Sequence, residues 1–354
     1  MKKKLLFILI TALIILGPIF GQGLNETTVV EEEATFSFTD SLGRVREINT
    51  NLERIAPSGN VAQVQLYTIA NDLMVGNSGA YSESAKRYLD QTNINLPTLG
   101  AFYGKKANLN KEALIVADPQ VVIDFGEIKG SKDAMAQDLD TLEKQINIPV
   151  VFIETYLQGT AESYRLLGTL LNRQEDAEKL AQYSEKAINK AIESAKLIKT
   201  PVRVYYSSAT DALDGVPKGN FHSEVIDLIG VENVVPATSG SGANLNSLEQ
   251  IFVYNPEVIL LSSEEAYNLV TSDKTWGELE AVKNGKVIKL PIAPYPWIDS
   301  PPSVNRIIGI YYLGSLLYPE LYSDIDLTSL VKEFYSLFYK YNLTDTEVNE
   351  LLGL

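Results

Sequence analysis

The chain of 354 residues has no cysteine and a single histidine, His222. Without cysteine there is no disulfide scaffold, iron–sulfur cluster, thiol nucleophile or thiolate zinc site. One histidine excludes multi-histidine metal centres and the HExxH enzymes. Positive charge is also scarce: 30 Lys and Arg stand against 45 Asp and Glu, for a net charge of −15. No Lys/Arg cluster of useful size lies beyond the N-terminus, so the basic face of a nucleic-acid binder is absent. What is present is ordinary. A content of 45% hydrophobic and 21% charged residues excludes wholesale disorder. The length accommodates about two domains.

Residues 1–23 read as an address. Lys2, Lys3 and Lys4 precede the uncharged run from Leu5 to Phe20, a charged n-region followed by an apolar h-region. The run is short for a membrane span of about 20 residues, and Gly17-Pro18 interrupts it. A cleaved export signal and an uncleaved anchor both fit. A lipid-anchored lipoprotein does not, because that anchor needs a cysteine. Cleavage near Gly23 removes three lysines and takes the net charge from −15 to −18. Residues 24–33 end in Glu31-Glu32-Glu33 and read as a solvated tether. The expected location is therefore extracytoplasmic, in the periplasm or on the outer face of the cell membrane. ATP- or NAD-dependent chemistry is not expected there.

Thr35–Thr39 and Arg44–Ile48 alternate around Asp40-Ser41-Leu42-Gly43 and predict a β-hairpin. Strands and helices then alternate. Strands are predicted at Arg54–Pro57, Leu73–Gly76, Gln120–Asp124 and Pro149–Ile153, and helices at Val61–Asn71, Ser82–Asp90, Lys111–Ala117 and Asp133–Ile146. Such alternation argues for mainly parallel sheets covered by helices. A helix at Thr160–Leu171 precedes a longer one at Glu175–Lys199, which is free of Gly and Pro. About 24 residues at 1.5 Å give roughly 36 Å, enough to cross between lobes. The α/β pattern resumes with strands Val202–Ser207, Val258–Leu261 and Lys286–Leu290, and helices Ser223–Ile229, Leu248–Tyr254 and Lys274–Val282. Helices near Ser303–Leu317, Leu327–Tyr341 and Asp345–Leu352 end the chain. The expected fold class is α/β: two Rossmann-like lobes with mainly parallel central sheets, joined by a single long α-helix. The lobes span 34–158 and 200–354, the second carrying the terminal helices, with a helical linker over 159–199.

Two segments repeat at an offset of 137, from Asn110 to Ile123 and from Ser247 to Leu260. Each opens with a capping residue, places a glutamate two positions later (Glu112, Glu249), and runs through a short apolar helix and a proline into a buried strand. Asn and Ser satisfy orphan N–H groups, and a first-turn Glu suits the helix dipole. The two lobes are built alike.

The chain resembles the class III substrate-binding proteins of ABC importers, which capture ferric siderophores, haem and cobalamin. The likeness covers about residues 34–354. It rests on Phe38-Thr39-Asp40-Ser41-Leu42-Gly43-Arg44, Glu53-Arg54-Ile55, Leu73-Met74-Val75-Gly76, the two repeats, the lone bridging helix, Gly219-Asn220-Phe221-His222-Ser223-Glu224-Val225-Ile226 and Gly230-Val231-Glu232-Asn233-Val234. The resemblance implies that Glu112 and Glu249 dock onto arginines of a membrane permease. It also implies an ABC permease and its ATPase as partners, no catalysis and no cofactor.

Ligands of open parallel sheets sit beyond the carboxyl ends of the strands. Ser58, Gly59 and Asn60 follow the first strand and open a helix, where backbone amides favour an anionic group. Phe102, Tyr103 and Lys105 combine aromatic surface with positive charge, which suits a flat anionic chelate. Phe125-Gly126-Glu127 and Glu154-Thr155-Tyr156 follow later strands, and Tyr156 is the preferred contact among them. Ser207 ends the first strand of the second lobe, and His222 opens a helix there, with contact to the ligand's periphery expected over direct metal ligation. Residues 294–302 hold four of the 15 prolines and Trp297. That stiff loop is expected to set Trp297 as a pocket wall. Arg306 follows as a bidentate partner for a carboxylate or oxyanion.

The expected function is extracytoplasmic capture and delivery by a monomer, with an iron(III)-siderophore-type complex as the ligand. Haem, cobalamin or a molybdate-like oxyanion are the alternative ligands, and a non-transport sensor of the same fold is the alternative role. An enzyme is disfavoured, since no Ser/His/Asp order or close carboxylate pair stands out.

Overall fold

The computed structural model describes residues 34–104, 107–238 and 244–354. The N-terminal address, the tether and Lys105 lie outside them. The hairpin Thr35–Thr39 with Val45–Asn49 forms as expected. Asp40 closes its turn by accepting from Leu42 N–H (2.9 Å) and Arg44 N–H (3.0 Å). The Asp40–Arg44 ion pair and Phe152 N–H then fasten the turn to the neighbouring strand.

The first sheet is parallel, in the order Ile55–Pro57, Val121–Gly126, Val150–Glu154. Every residue of Val121–Gly126 is buried. Continuous apolar strands suit a parallel sheet covered on both faces. The strand expected at Leu73–Gly76 does not form. Asn71–Leu73 is a tight helical turn instead, and only a single bridge joins Met74 to Ile55. The chain then veers so that Asn77 bridges Thr98. Pro97 has no N–H with which to extend that ladder.

The second sheet has a parallel centre of Val287–Lys289, Val258–Leu261 and Arg203–Ser207. The short strands Asp214–Gly215 and Asn244–Leu245 extend it antiparallel, and Glu232–Asn233 pairs parallel with Arg203–Val204. Two helix expectations change. Ser82–Asp90 resolves into Glu83–Lys86 and, beyond it, Gln91–Ile94, each started by its own side-chain cap. Lys274–Val282 is a tight turn at Trp276–Glu278 followed by Glu280–Lys283. An unanticipated helix at Glu264–Ser272 starts at Ser263, whose hydroxyl accepts from Ala266 N–H.

Between the sheets the chain runs through Thr160–Leu171 and the 22-residue helix Gln174–Ala195. At 1.5 Å per residue that helix is roughly 33 Å long. Gly168 lets the two helices approach closely, because a Cβ there would lie 2.4 Å from the Cβ of Ala177. Asn305–Leu317 also packs on the long helix. Leu327–Tyr339 returns to the first sheet's side and packs on Asn60–Ala70. Asp345–Leu352 follows, tied to Arg87 through Glu347 and Glu350. One core cluster therefore runs unbroken from Phe38 to Val348. At its centre Phe334 stacks on Phe338 at 4.5 Å, and Tyr183 meets Phe338 edge-on at 5.5 Å.

Candidate functional site at the junction of the two sheets

Ser58 stands at the carboxyl end of Ile55–Pro57. It is buried, and its hydroxyl donates to Asp124, which is itself buried on the neighbouring strand. Burial pushes the Asp124 carboxyl up to about 6, against the pull of the Ser58 bond. Gly59 precedes the helix Asn60–Ala70 and supplies no side-chain cap. The first amides of an α-helix have no partner within it, and their partial positive charge favours an anionic group. Asn60 is exposed and accepts from Ser78 Oγ at 2.8 Å. Phe102 N–H donates to Ser58 O at 2.7 Å, and the Phe102 and Tyr103 rings meet at 4.6 Å. Burial followed by the Asp138 charge raises the Tyr103 phenol. These residues assemble on the first lobe.

Several contacts cross to the second lobe. Gln63 Nε2 donates to Tyr295 OH at 3.3 Å, and Tyr81 meets the Tyr295 ring at 6.4 Å. Tyr156 is 41% exposed, and its ring lies edge-on to Phe221 at 5.7 Å. Leu157 N–H donates to Glu224 at 3.0 Å.

His222 sits beside this crossing. Its Nδ1 lies 2.6 Å from Asp299 Oδ1, and its side chain is 34% exposed. Burial lowers the ring's pKa, but the hydrogen bond and charge of Asp299, with the charge of Glu127, outweigh it and hold the pKa above its ordinary value. Arg306 opposes this rise. A carboxylate on Nδ1 fixes the ring and leaves Nε2 as the nitrogen available to a ligand, the arrangement that supports an imidazole ligand.

Three expected ligand contacts are relocated. Trp297 is 0% exposed and is no pocket wall. Its indole N–H donates to Ala293 O at 3.1 Å and its ring packs on Tyr312. Trp297 clamps the proline loop to the core, because a large apolar ring gains more there than in a wet cleft. Arg306 is buried, ion-paired with Glu224, donates to Phe221 O at 3.3 Å and lies over the Phe221 ring. Its guanidinium is spent on positioning Phe221 and Glu224. Ser207 is buried and accepts from Ala209 N–H at 3.2 Å, finishing its own strand. Phe221, Glu224, Asp299 and Glu127 emerge as members of the junction. The segments holding them stood out in the sequence. Their convergence did not, since it depends on loops from both lobes.

The repeat folds alike in both lobes. Lys111–Ala117 starts at Asn110, whose side chain accepts from Ala113 N–H. Leu248–Tyr254 starts at Ser247, which accepts from Gln250 N–H. Both end in a left-handed residue, Asp118 and Asn255. Glu112 and Glu249 are exposed in the two first turns. Short links then reverse the chain into the following strand. Each glutamate therefore lies toward the carboxyl edge of its sheet.

Among the described residues no group of three or more His, Asp or Glu side chains is placed to hold a metal ion. None of the described helices is long and apolar enough to cross a membrane.

The family model for periplasmic binding proteins matches residues 58–293. An ABC transporter solute-binding protein from Sulfurospirillum deleyianum superposes with a TM-score of 0.83 at 28% identity, covering 90% of this chain and 99% of that one. The molybdate-binding protein MolA of Haemophilus influenzae is 26% identical over 263 residues, 68% of this chain and 72% of its own. The Fe(3+)-citrate-binding protein YfmC of Bacillus subtilis is 29% identical over 140 residues, 38% of this chain and 43% of its own. The two-sheet architecture and the extent of these matches show that the chain belongs to the periplasmic binding proteins, as a non-enzymatic, class III solute-binding component of an ABC importer.

Proposed function

We propose that this protein captures an iron(III) chelate of the citrate or siderophore type at the junction of its lobes and delivers it to its permease. The observation that carries this reading is the buried Asp299 holding Nδ1 of the part-exposed His222. No cluster among the described residues can hold a bare ion, so a metal must arrive with most of its donors already supplied. His222 fills one open position, while Tyr156, Phe102 and Tyr103 provide flat apolar contact. The helix amides after Gly59, with Asn60, receive the chelate's anionic edge. Ser58 shapes that end of the site from beneath. Lys105, two residues after Tyr103 in the sequence, adds positive charge. Likeness to a ferric-citrate binder over part of the chain supports the reading.

A second reading, a molybdate-like oxyanion, is favoured by the same helix amides and by the likeness to the H. influenzae protein. Native mass spectrometry and titration with ferric citrate, a ferric catecholate, haem, cobalamin and molybdate separate the two. Micromolar or tighter binding of a ferric chelate, lost in His222→Ala, is the expected result. Binding of molybdate alone, unaffected by His222→Ala, overturns the chelate. The N-terminal segment acts as the export signal, the protein works as a monomer, and Glu112 and Glu249 face paired arginines of the permease. Loss of uptake in a Glu112→Ala/Glu249→Ala variant that still binds ligand tests that docking.

A further inference from the structure

Lys111–Ala117 and Leu248–Tyr254 each have two apolar sides. On the inner side, Leu114 and Ile251 occupy equivalent repeat positions and are fully buried. Two positions later, on the opposite side, Val116 is 84% exposed and Val253 is 76% exposed. Single exposed apolar side chains need no explanation. These two are the one pair of exposed large hydrophobics, among the described residues, that the offset of 137 relates. Each also stands four residues beyond a glutamate of the matched pair, Glu112 or Glu249. Residues i and i+4 share a helix face. Both lobes thus show the same small surface, an acidic head toward the cleft edge and an exposed valine one turn below.

We infer that Val116 and Val253 are matched apolar anchors for the permease, seating in two equivalent apolar recesses beside its basic groups. The inference rests on the reading that the face of each lobe bearing Glu112 or Glu249 meets the permease. A protein that empties a cleft between two similar lobes must engage both lobes at once. A duplicated acidic-and-apolar surface fits a partner with two similar halves. The glutamates steer and orient, and the valines add affinity that salt does not screen.

The test measures binding of the full chain to its permease–ATPase complex in nanodiscs, at low and high salt. Variants are Val116→Ser, Val253→Ser, their double, and the double Glu112→Gln/Glu249→Gln. Thermal midpoint and ligand affinity serve as controls, since both valines are exposed and folding should be indifferent. Each serine variant is expected to weaken docking about fivefold, and the double about 25-fold, equally at both salt concentrations. The glutamine variant should lose most at low salt. Unchanged docking in the serine variants, with a loss in the glutamine variant, overturns the anchors and leaves the glutamate reading standing. A loss in the serine variants alone keeps the anchors and removes the glutamates. An effect of only one valine overturns the matched pair. A dimer of the wild-type chain in sedimentation, dissolved by the double serine variant, also overturns it by naming a second copy as the occupant.

Discussion

His222 and Asp124 are titratable residues with opposite consequences. A histidine that donates Nε2 to a metal must be unprotonated there, so proton and chelate compete. With Asp299 holding the ring's pKa above its ordinary value, affinity should fall about tenfold per pH unit once pH drops below that pKa. In Asp299→Asn, burial dominates and the fall-off moves to lower pH. Because His222 is the one histidine, its NMR titration reads this without ambiguity. A pH profile unmoved by Asp299→Asn would disconnect the pair from binding. Asp124 behaves as an acid whose folded pKa, about 6, exceeds its ordinary 3.8. The native state therefore favours its protonated form. Its contribution is fully present below about pH 4 and is lost as pH rises through 6. Asp124→Asn should stabilise the protein at pH 7.5 by up to ~3 kcal/mol and give no advantage at pH 4. Thermal unfolding at the two pH values checks the sign.

At the level of elements, the proline loop shows how a rigid segment is held. Trp297 is buried beneath Asn305–Leu317, and Gly309 of that helix faces it. A Cβ at Gly309 would lie 2.0 Å from Trp297 O, a backbone atom that cannot swing aside. Gly309→Ala should cost about 3 kcal/mol or more by forcing loop and helix apart. Because the same loop carries Asp299, ligand affinity should fall with it. Calorimetry and a binding titration read both effects, and a variant with unchanged stability would deny the close approach. Trp297 fluorescence should respond to ligand only indirectly, through the loop.

At the scale of the whole molecule, the lobes are not two bodies on a string. The long helix, Asn305–Leu317 and Leu327–Tyr339 share one core with the first lobe, and Gln63–Tyr295 and Leu157–Glu224 bridge the junction. Opening the lobes widely would expose that aromatic core, at about 25 cal/mol for every Å² uncovered. Closure on ligand should therefore be a few degrees. Scattering curves with and without ferric chelate should nearly superimpose, and a large compaction would contradict the shared core.

Local chemistry was enough for the hairpin, the repeat and its caps, the apolar strands and the long helix. Each depends on periodicity or on a side chain meeting backbone a few residues away, as Asn110 and Ser247 do. The same locality made Glu112 and Glu249 legible as exposed first-turn residues. Contacts distant in the chain escaped it. Trp297 and Arg306 look identical in sequence whether they face a cleft or a core, and packing against Tyr312, Phe221 and Glu224 turned both inward. Asp299 reached His222 across 77 residues because the loops holding them fold to one place. The return of Leu327–Tyr339 to the first lobe was likewise a tertiary outcome. An amphipathic helix specifies that it must bury one face, and only the assembled core specifies against what.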